Sequence, residues 1–174
     1  MVIWVTGLSG AGKTTLCTTL YESLKPKTPE LVILDGDVIR RAYGNDLTYC
    51  EMDRVRQVKR LRAMAGVLAE QDLIVLVAVL YAHPDLLAWN RKNLPDYFEV
   101  HLDVSLKTVM ERDDKGIYAA AKRGEMPNVV GLDIPWHAPT DPDLRLDGDR
   151  GETPGELAAH LIQAVPFLEN RLPR

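Results

Sequence analysis

Residues 7–14 read Gly-Leu-Ser-Gly-Ala-Gly-Lys-Thr, and this stretch decides the fold. A glycine, four residues and then Gly-Lys-Thr is the pattern of a phosphate-binding P-loop, in which glycines let backbone N–H groups curl around phosphate oxygens. The pattern requires a strand before it and a helix after it. The apolar segment Val2–Thr6 predicts the strand, and leucines at helical spacing predict a helix that begins at Lys13 and ends before Pro26.

Apolar strands and amphipathic helices continue to alternate along the rest of the chain. Further strands are expected at Leu31–Leu34, Leu73–Leu80 and Tyr97–Leu102, and further helices at Met52–Gln71, at Leu86–Leu94, from Leu106 onward and around Leu157–Val165. Four prolines between Met126 and Leu144 predict a loop there. The alternation predicts an α/β fold of the P-loop NTPase type, with a parallel sheet of about five strands, helices on both faces and one domain over residues 1–174.

The composition argues against several other classes of protein. The formal net charge is -4, so no general positive charge indicates a nucleic acid or membrane partner. The longest apolar run, Leu73–Leu80, is far too short to span a bilayer. Cys17 and Cys50 form neither a metal-ligand pattern nor a disulfide framework, which favours reduced thiols in a cytoplasmic protein. We expect small-molecule partners, and the sequence leaves a homodimer open.

The P-loop predicts a binding site for the phosphates of a nucleotide such as ATP. Lys13 is expected to contact the β- and γ-phosphates, and the hydroxyl of Thr14 is expected to ligate Mg²⁺. The expected ATP-binding residues of the loop are Gly7, Ser9, Gly10, Ala11, Gly12, Lys13, Thr14 and Thr15.

GTP-dependent switches share such a loop, but they usually carry an Asn-Lys-x-Asp motif that recognises guanine. The sequence has none, because Asn90-Arg91-Lys92-Asn93 lacks the aspartate. A kinase is therefore favoured.

A second group of polar residues follows the second strand, where Asp35-Gly36-Asp37 is followed by Arg40 one helical turn later. A carboxylate here can take the proton of an acceptor hydroxyl or help to hold Mg²⁺. Arginine can bind an anionic group through two parallel hydrogen bonds. Ligands of parallel sheets bind at the carboxyl ends of the strands, so these residues and Tyr81, after the third strand, should converge on the P-loop. The alternative interpretation is a helix cap with a surface arginine.

In these motifs the chain resembles the adenylylsulfate (APS) kinase family. Beyond the P-loop, the resemblance rests on the following segments, in order: Leu34-Asp35-Gly36-Asp37 with Arg40, Asp46-Leu47, Asp53-Arg54, Phe98-Glu99-Val100, Arg112-Asp113-Asp114-Lys115-Gly116-Ile117-Tyr118, and Gly131-Leu132-Asp133 followed by Pro139. It covers nearly the whole chain. The Lys-Gly-aliphatic-Tyr segment is fairly specific to the family.

The resemblance implies transfer of the γ-phosphate of ATP to the 3′-hydroxyl of adenylyl sulfate. It implies that Asp37 faces that hydroxyl and that Arg40 and Arg54 hold the acceptor nucleotide. It also implies a small lid, at about residues 112–128, that excludes water from the reaction. Arg112, at the ATP, and Lys115, as a catalytic and acceptor-binding residue, would bring positive charge to the reacting phosphate. Without the resemblance, a solvated helix face would be the favoured interpretation of this charged stretch.

Four departures from the family lie on the acceptor side. Tyr49 and Val129 stand where the family has two phenylalanines that enclose the acceptor's adenine. Gln57 stands in place of an asparagine, Tyr81-Ala82-His83-Pro84 in place of Ser-Pro-x-Arg, and Thr48-Tyr49-Cys50 in place of Gly-Phe-Ser. The expected acceptor-binding residues are Asp37, Arg40, Tyr49, Arg54, Gln57, Tyr81, Lys115 and Val129.

The departures leave two alternatives open. Kinases similar to this chain phosphorylate the 3′-hydroxyl of cytidine diphosphoramidate in surface-polysaccharide pathways, and a different base could suit Val129 and Gln57. A non-catalytic ATP sensor with a decayed acceptor pocket is the other alternative, and Asp37 together with a complete lid argues against it. Two further residues have open roles: His83 as an anion contact or a solvated side chain, and Trp136 as a stacking surface or a packing residue.

Overall fold

Strands and helices alternate through residues 1–169, the part of the chain described by the computed structural model. Residues 170–174 of the expected single domain lie outside that range. The strands are β1 (Val2–Thr6), β2 (Leu31–Asp35), β3 (Ile74–Val79), β4 (Tyr97–Asp103) and β5 (Leu144–Asp147). The helices are α1 (Lys13–Leu24), α2 (Gly36–Ala42), α3 (Glu51–Ala69), α4 (Pro84–Asn93), α5 (Leu106–Arg112), α6 (Ile117–Lys122), α7 (Pro154–Ala164) and α8 (Pro166–Glu169).

The strands form one parallel sheet in the order β2-β3-β1-β4-β5. The central strand β1 pairs with β3 on one side and with β4 on the other. The connection from β1 to β2 crosses the sheet in one direction, and the connections from β2 to β3 and from β3 to β4 cross it in the other. Because such crossovers are right-handed, α1 lies on the opposite face of the sheet from α3 and α4. The predicted P-loop NTPase fold, with about five parallel strands and helices on both faces, is confirmed.

The middle of the sheet is completely enclosed by helices. Every residue of β1 and of β3 is buried, so these strands read as continuous apolar runs rather than as alternating patterns. The leucines of α1 cover one face, and α1 in turn packs against α7. Within residues 1–169, no helix combines the length and the apolar character needed to cross a membrane. The rigid core fixes the carboxyl ends of β1, β2 and β3 side by side.

Two local predictions are corrected. The loop predicted to run to Leu144 ends one residue earlier, because Leu144 begins β5, a four-residue edge strand that pairs with β4. The helix predicted to enter the charged stretch from Leu106 goes no further than Arg112, the first residue of that stretch. Asp113 has a φ of 27° and Gly116 a φ of 66°, and a separate helix, α6, begins after them.

Candidate active site

The carboxyl ends of β1, β2 and β3 open into one cleft with a volume of about 580 Å³. Most of the residues expected to bind ATP or the acceptor line this cleft. They are Ser9, Gly10, Gly12, Lys13, Thr14, Thr15, Asp37, Arg40, Tyr49, Arg54, Gln57, Tyr81, Lys115 and Val129. The fold therefore brings together side chains that are more than 100 residues apart in the sequence.

Three of the expected ATP-binding residues lie outside the lining of the cleft. Gly7 packs against the end of β4, where a Cβ atom would lie 2.6 Å from the carbonyl oxygen of Leu102, so the position requires glycine. Ala11 is buried within the loop. Arg112 donates a hydrogen bond of 3.2 Å to the carbonyl oxygen of Gly148, beyond the end of β5. An ATP contact for Arg112 stays a prediction.

The side chain of Lys13 folds back over the phosphate loop, residues 7–14. Gly10 and Gly12 adopt positive φ angles of 77° and 98°, which curl the loop back before α1 begins. The Lys13 ammonium donates a hydrogen bond of 2.7 Å to the carbonyl oxygen of Leu8. Burial lowers the pKa of Lys13 to about 8, although the charge of nearby Asp37 opposes this shift. A phosphate beside Lys13 would stabilise the charged ammonium and raise the pKa again.

Binding of Mg-ATP is expected to take up a proton when the pH is about one unit above the pKa of Lys13. Below that pKa the side chain already carries its proton, so no uptake is expected there. Calorimetry in two buffers with different ionisation enthalpies measures the uptake. Lys13→Arg is the matched control, because arginine stays charged over this range and should abolish the uptake. Equal uptake by both proteins would show that another group titrates.

Thr14 and Asp35 form a pair of oxygen ligands beside the loop. The Thr14 hydroxyl donates a hydrogen bond of 2.6 Å to Oδ2 of Asp35. The other oxygen of Asp35 caps α2 by accepting hydrogen bonds from the amides of Asp37 and Val38. Mg²⁺ prefers hard oxygen ligands, and in phosphate sites it takes only one or two from the protein. The donor set therefore fits Mg²⁺, and Asp35 is a residue that the predicted site had not included.

Asp37 meets Lys115 across the cleft. The Lys115 ammonium donates a hydrogen bond of 3.0 Å to Oδ2 of Asp37, and both side chains are more than half exposed. Partial burial alone would raise the pKa of Asp37. The hydrogen bond and charge of Lys115, with the charges of Lys13 and Arg40, outweigh burial and hold the pKa below its ordinary value. The carboxylate is therefore ionised at neutral pH and can accept a proton.

Arg40 and Arg54 supply the positive charge on the acceptor side. Arg40 is buried, and its Nη1 donates to the carbonyl oxygens of Leu47 at 2.8 Å and Thr48 at 2.9 Å. Nη2 of Arg54 donates to the carbonyl oxygen of Asn128 at 2.7 Å, while its buried Nε has no hydrogen-bond partner among residues 1–169. Burial and the nearby charge of Arg40 lower the pKa of Arg54. Both guanidinium groups are held by backbone and face the same cleft.

Four of the residues that depart from the family pattern, Tyr49, Val129, Gln57 and Tyr81, have different surroundings. The ring of Tyr49 is half exposed and lies over the guanidinium groups of Arg40 and Arg54, at 4.7 Å and 5.6 Å. Val129 is buried in the wall of the cleft. Gln57 donates to the carbonyl oxygen of Gly36 at 2.9 Å, and the buried Tyr81 donates through its hydroxyl to Glu51 at 2.6 Å. Their contacts with an acceptor stay predictions.

Two residues with open roles lie beside the cleft rather than in it. His83 caps α4, because its Nδ1 accepts a hydrogen bond of 3.3 Å from the amide of Asp85. Trp136 packs against the buried ring of His101, with the ring centres 6.0 Å apart. The contact of His83 favours a structural role, whereas Trp136 also lines a separate pocket with Leu8 and Leu106, so both interpretations of Trp136 stay open.

Sequence reasoning missed several residues that organise the site. The hydroxyl of Tyr118 on α6 donates to the carbonyl oxygen of Ser9 at 3.0 Å and so joins the charged stretch to the P-loop. Asp53 and Asp133 accept hydrogen bonds from backbone amides beside Tyr49 and Val129. The sequence showed the motifs in which these three side chains occur, but not the groups to which they are hydrogen-bonded. The partner of Tyr118 lies 109 residues away, whereas Asp53 and Asp133 bind amides only five and four residues away, in turns that the sequence pattern did not reveal.

A P-loop that faces a carboxylate and two arginines across one cleft defines a P-loop kinase. Comparison with known proteins narrows this class. Residues 1–147 match the family described as adenylylsulphate kinase, and the chain belongs to this family.

Individual proteins and solved structures show the same similarity. The chain is 41% identical over 149 residues to an adenylyl-sulfate kinase of Deinococcus deserti, covering 86% of this chain and 82% of that protein. It is 36% identical over 138 residues to a cytidine diphosphoramidate kinase of Campylobacter jejuni, covering 79% and 81% of the two chains. Among solved structures, the Mycobacterium tuberculosis APS kinase in complex with AMPPNP and APS has a TM-score of 0.87 and 34% identity, covering 94% and 95%.

Proposed function

We propose that the protein is an ATP-dependent kinase that transfers the γ-phosphate to the 3′-hydroxyl of adenylyl sulfate and so forms 3′-phosphoadenylyl sulfate. The observation that carries the proposal is that Asp37, Arg40 and Arg54 share one cleft with Lys13. A kinase needs a phosphate-binding loop, a group that accepts the hydroxyl proton and positive charge for an anionic acceptor. The relatives named adenylyl-sulfate kinase support this choice of acceptor.

On the donor side, the P-loop amides and Lys13 hold the β- and γ-phosphates of ATP. Thr14 and Asp35 are the residues that would hold Mg²⁺ through their oxygen atoms. When bound, Mg²⁺ neutralises the negative charge that develops on the transferred phosphoryl group. Lys13 contributes a second positive charge close to the same oxygens, and its burial strengthens the interaction because little water screens it.

On the acceptor side, Asp37 orients the ribose hydroxyl and accepts its proton as the hydroxyl oxygen approaches the γ-phosphorus. Lys115, which lies 3.0 Å from Asp37, can hold the γ-phosphate on the same side of the cleft. Arg40 and Arg54 bind the phosphate and sulfate groups of adenylyl sulfate. Since each arginine is already oriented by backbone carbonyls, little side-chain freedom remains to be lost on binding.

We also propose that residues 112–128 act as a lid. Lys115 and Tyr118 of this segment contact Asp37 and the P-loop, and Met126 to Asn128 line the acceptor end of the cleft. A segment that covers both substrates excludes water, which would otherwise compete for the phosphoryl group. The single domain, the cytoplasmic location and the homodimer remain predictions.

Cytidine diphosphoramidate is a second candidate acceptor. The observation that favours it is the pair Tyr49 and Val129, because Val129 offers no aromatic face on which an adenine could stack. The Campylobacter jejuni relative carries the name of that activity. Stacking of a base on an aromatic side chain contributes about 1–3 kcal/mol, so the missing ring removes part of the affinity for adenine and leaves the hydrogen bonds of the pocket to decide the base.

Release of ADP from ATP with each of the two nucleotides tests the proposed function. Adenylyl sulfate is expected to give the higher kcat/KM. Turnover of cytidine diphosphoramidate alone would replace the first candidate by the second. If neither nucleotide supports turnover while ATP still binds, the protein is a sensor rather than a kinase.

Val129→Phe provides a second test of the acceptor pocket, because it adds the missing ring to the wall. The variant is expected to bind adenylyl sulfate about tenfold more tightly, which corresponds to a gain of about 1.4 kcal/mol from stacking. Val129→Leu is the matched control, since it adds volume without an aromatic face. A similar gain in both variants would show that packing, rather than stacking, is the cause.

A further inference from the structure

The acceptor pocket has two walls, and each wall binds one of the two arginines through its backbone. The Tyr49 wall (residues 47–49) gives the carbonyl oxygens of Leu47 and Thr48 to Arg40. The Val129 wall (residues 128–129) gives the carbonyl oxygen of Asn128 to Arg54. Each wall that would enclose the base is therefore hydrogen-bonded to one of the arginines that would hold the anionic groups. A movement of a wall would move its arginine as well.

The Tyr49 wall is held by Asp53, on the first turn of α3. Oδ2 of Asp53 accepts hydrogen bonds from the amide of Thr48 at 2.9 Å and from its hydroxyl at 2.7 Å. Oδ1 accepts a hydrogen bond of 2.9 Å from Arg56. Asp53 is 8% exposed and does not line the cleft, so its contacts are with the wall and not with a substrate.

The Val129 wall is held in the same way by Asp133. Its two carboxylate oxygens accept hydrogen bonds from the amides of Asn128 and Val129. The carbonyl of Val129 in turn accepts hydrogen bonds from the amides of Leu132, Asp133 and Ile134, which closes a compact turn. Asp133 also lies outside the lining of the cleft. The carbonyl of Asn128 that binds Arg54 thus belongs to a peptide segment fixed by one carboxylate.

The hydrogen bonds of Asp53 and Asp133 to the two walls are important because Arg40 and Arg54 are both positively charged and lie in a partly desolvated site. Each repels the other, and burial penalises the charge of Arg54. If a wall moved, the hydrogen bonds from its carbonyl oxygens to the arginine would be lost. The guanidinium group could then turn toward solvent. Misplacing a binding group by about 1 Å can cost on the order of 100-fold in activity, so small movements of a wall would be measurable.

We propose that Asp53 and Asp133 are positioning residues of the acceptor site: Asp53 orients Arg40 through the Tyr49 wall, and Asp133 orients Arg54 through the Val129 wall. The inference rests on the proposed function, because it assigns Arg40 and Arg54 to the acceptor. It predicts that each carboxylate affects chiefly the arginine that its wall binds, and that it affects binding of the acceptor rather than of ATP. A purely structural carboxylate would lower stability and affect both substrates alike.

The first experiment needs no substrate. The Nε–H signals of Arg40 and Arg54 are assigned in the full chain by nuclear magnetic resonance, with Arg40→Lys and Arg54→Lys as references. Asp133→Asn is expected to shift or broaden the Arg54 signal and leave that of Arg40 in place. Asp53→Asn is expected to move the Arg40 signal most, with a smaller effect on Arg54, because the Tyr49 ring lies nearer to Arg40 than to Arg54. Unchanged signals in both variants would overturn the inference.

Asp143→Asn is the matched control. Asp143 also accepts a hydrogen bond from a backbone amide, that of Glu99 at 2.7 Å, and it also pairs with an arginine, Arg91 at 3.0 Å, outside the cleft. Its replacement is expected to lower the melting temperature to a comparable extent and to leave both signals unchanged. Movement of either signal in this variant would show that general loosening, rather than positioning, is being observed.

The second experiment measures binding of adenylyl sulfate and of ATP by calorimetry. Asp133→Asn is expected to weaken binding of adenylyl sulfate by about 10- to 100-fold and to leave binding of ATP nearly unchanged. In an Arg54→Lys background the same substitution should have little further effect, because neighbours in one network are not additive. Equal weakening of both substrates would contradict the inference. Failure of the unaltered protein to bind adenylyl sulfate would count against the proposed function, and the resonance experiment would still decide the positioning roles.

Discussion

Replacing Lys13 with alanine is expected to lower turnover by about 1,000-fold or more. Removal of one hydrogen-bond donor that stabilises a transition state typically costs about 100- to 1,000-fold, and Lys13 adds a full positive charge to such a donor. Its side chain is partly buried at the start of α1, which reduces the screening by water of its interaction with phosphate. A coupled assay of ADP release at saturating acceptor measures the loss.

The fold is expected to survive this substitution. Alanine is a strong helix former, and the ammonium of Lys13 has one hydrogen-bond partner, the carbonyl of Leu8. The pKa of Lys13 is lower in the folded chain, so the charged side chain opposes folding at neutral pH, and its removal should not lower the melting temperature. Lys107→Ala, an exposed lysine on α5, is the control and should keep full activity. Near-normal turnover in Lys13→Ala would refute the donor site.

Asp37→Asn is expected to lower kcat by about 100- to 10,000-fold while the KM for ATP changes little. Asparagine keeps the size of the side chain but cannot accept the hydroxyl proton, and general base catalysis contributes about this factor. The substitution also replaces the ion pair with Lys115 by a neutral contact. Steady-state kinetics with each substrate varied in turn separate the two effects.

Asp72→Asn is a suitable control for Asp37→Asn. Asp72 is exposed, precedes β3 at the opposite end of the sheet, and has a φ of 61°, a conformation that asparagine tolerates. It should therefore behave like the unaltered protein. If Asp37→Asn instead raised the KM for ATP in proportion to its loss of kcat, the aspartate would be a structural part of the donor site and not the base.

Much of the fold could be predicted because its signals are local. The buried strands β1 and β3 are continuous apolar runs, and the P-loop is contiguous, so each can be recognised without its partners. The edge strand β5 could not be located, because its four residues follow a proline-rich segment and only pairing with β4 makes them a strand. The break between α5 and α6 was equally hidden, since it depends on the backbone conformation of Asp113.

In the candidate site, too, the residues with a local sequence motif could be predicted, and those that depend on distant partners could not. Lys13, Thr14 and Asp37 belong to motifs whose chemistry requires those residue types, and the structure places them in one cleft. Arg54 and the carbonyl of Asn128 are 74 residues apart in the sequence and become partners only through folding. Arg112 shows the opposite case, because its motif predicts a place at the ATP while its hydrogen bond goes to Gly148.

The assembly of the cleft has a consequence for how such a protein can diverge. The loop that holds the donor's phosphates is a single contiguous segment, closely packed against β4 at Gly7 and therefore intolerant of change. The acceptor pocket is built from α2, residues 47–57, Tyr81 and residues 126–130, four separate stretches of chain. A substitution in one of these stretches can alter the acceptor pocket while the donor loop stays undisturbed. The architecture thus allows descendants of one ancestral kinase to acquire new substrates by few mutations while phosphoryl transfer itself is inherited unchanged.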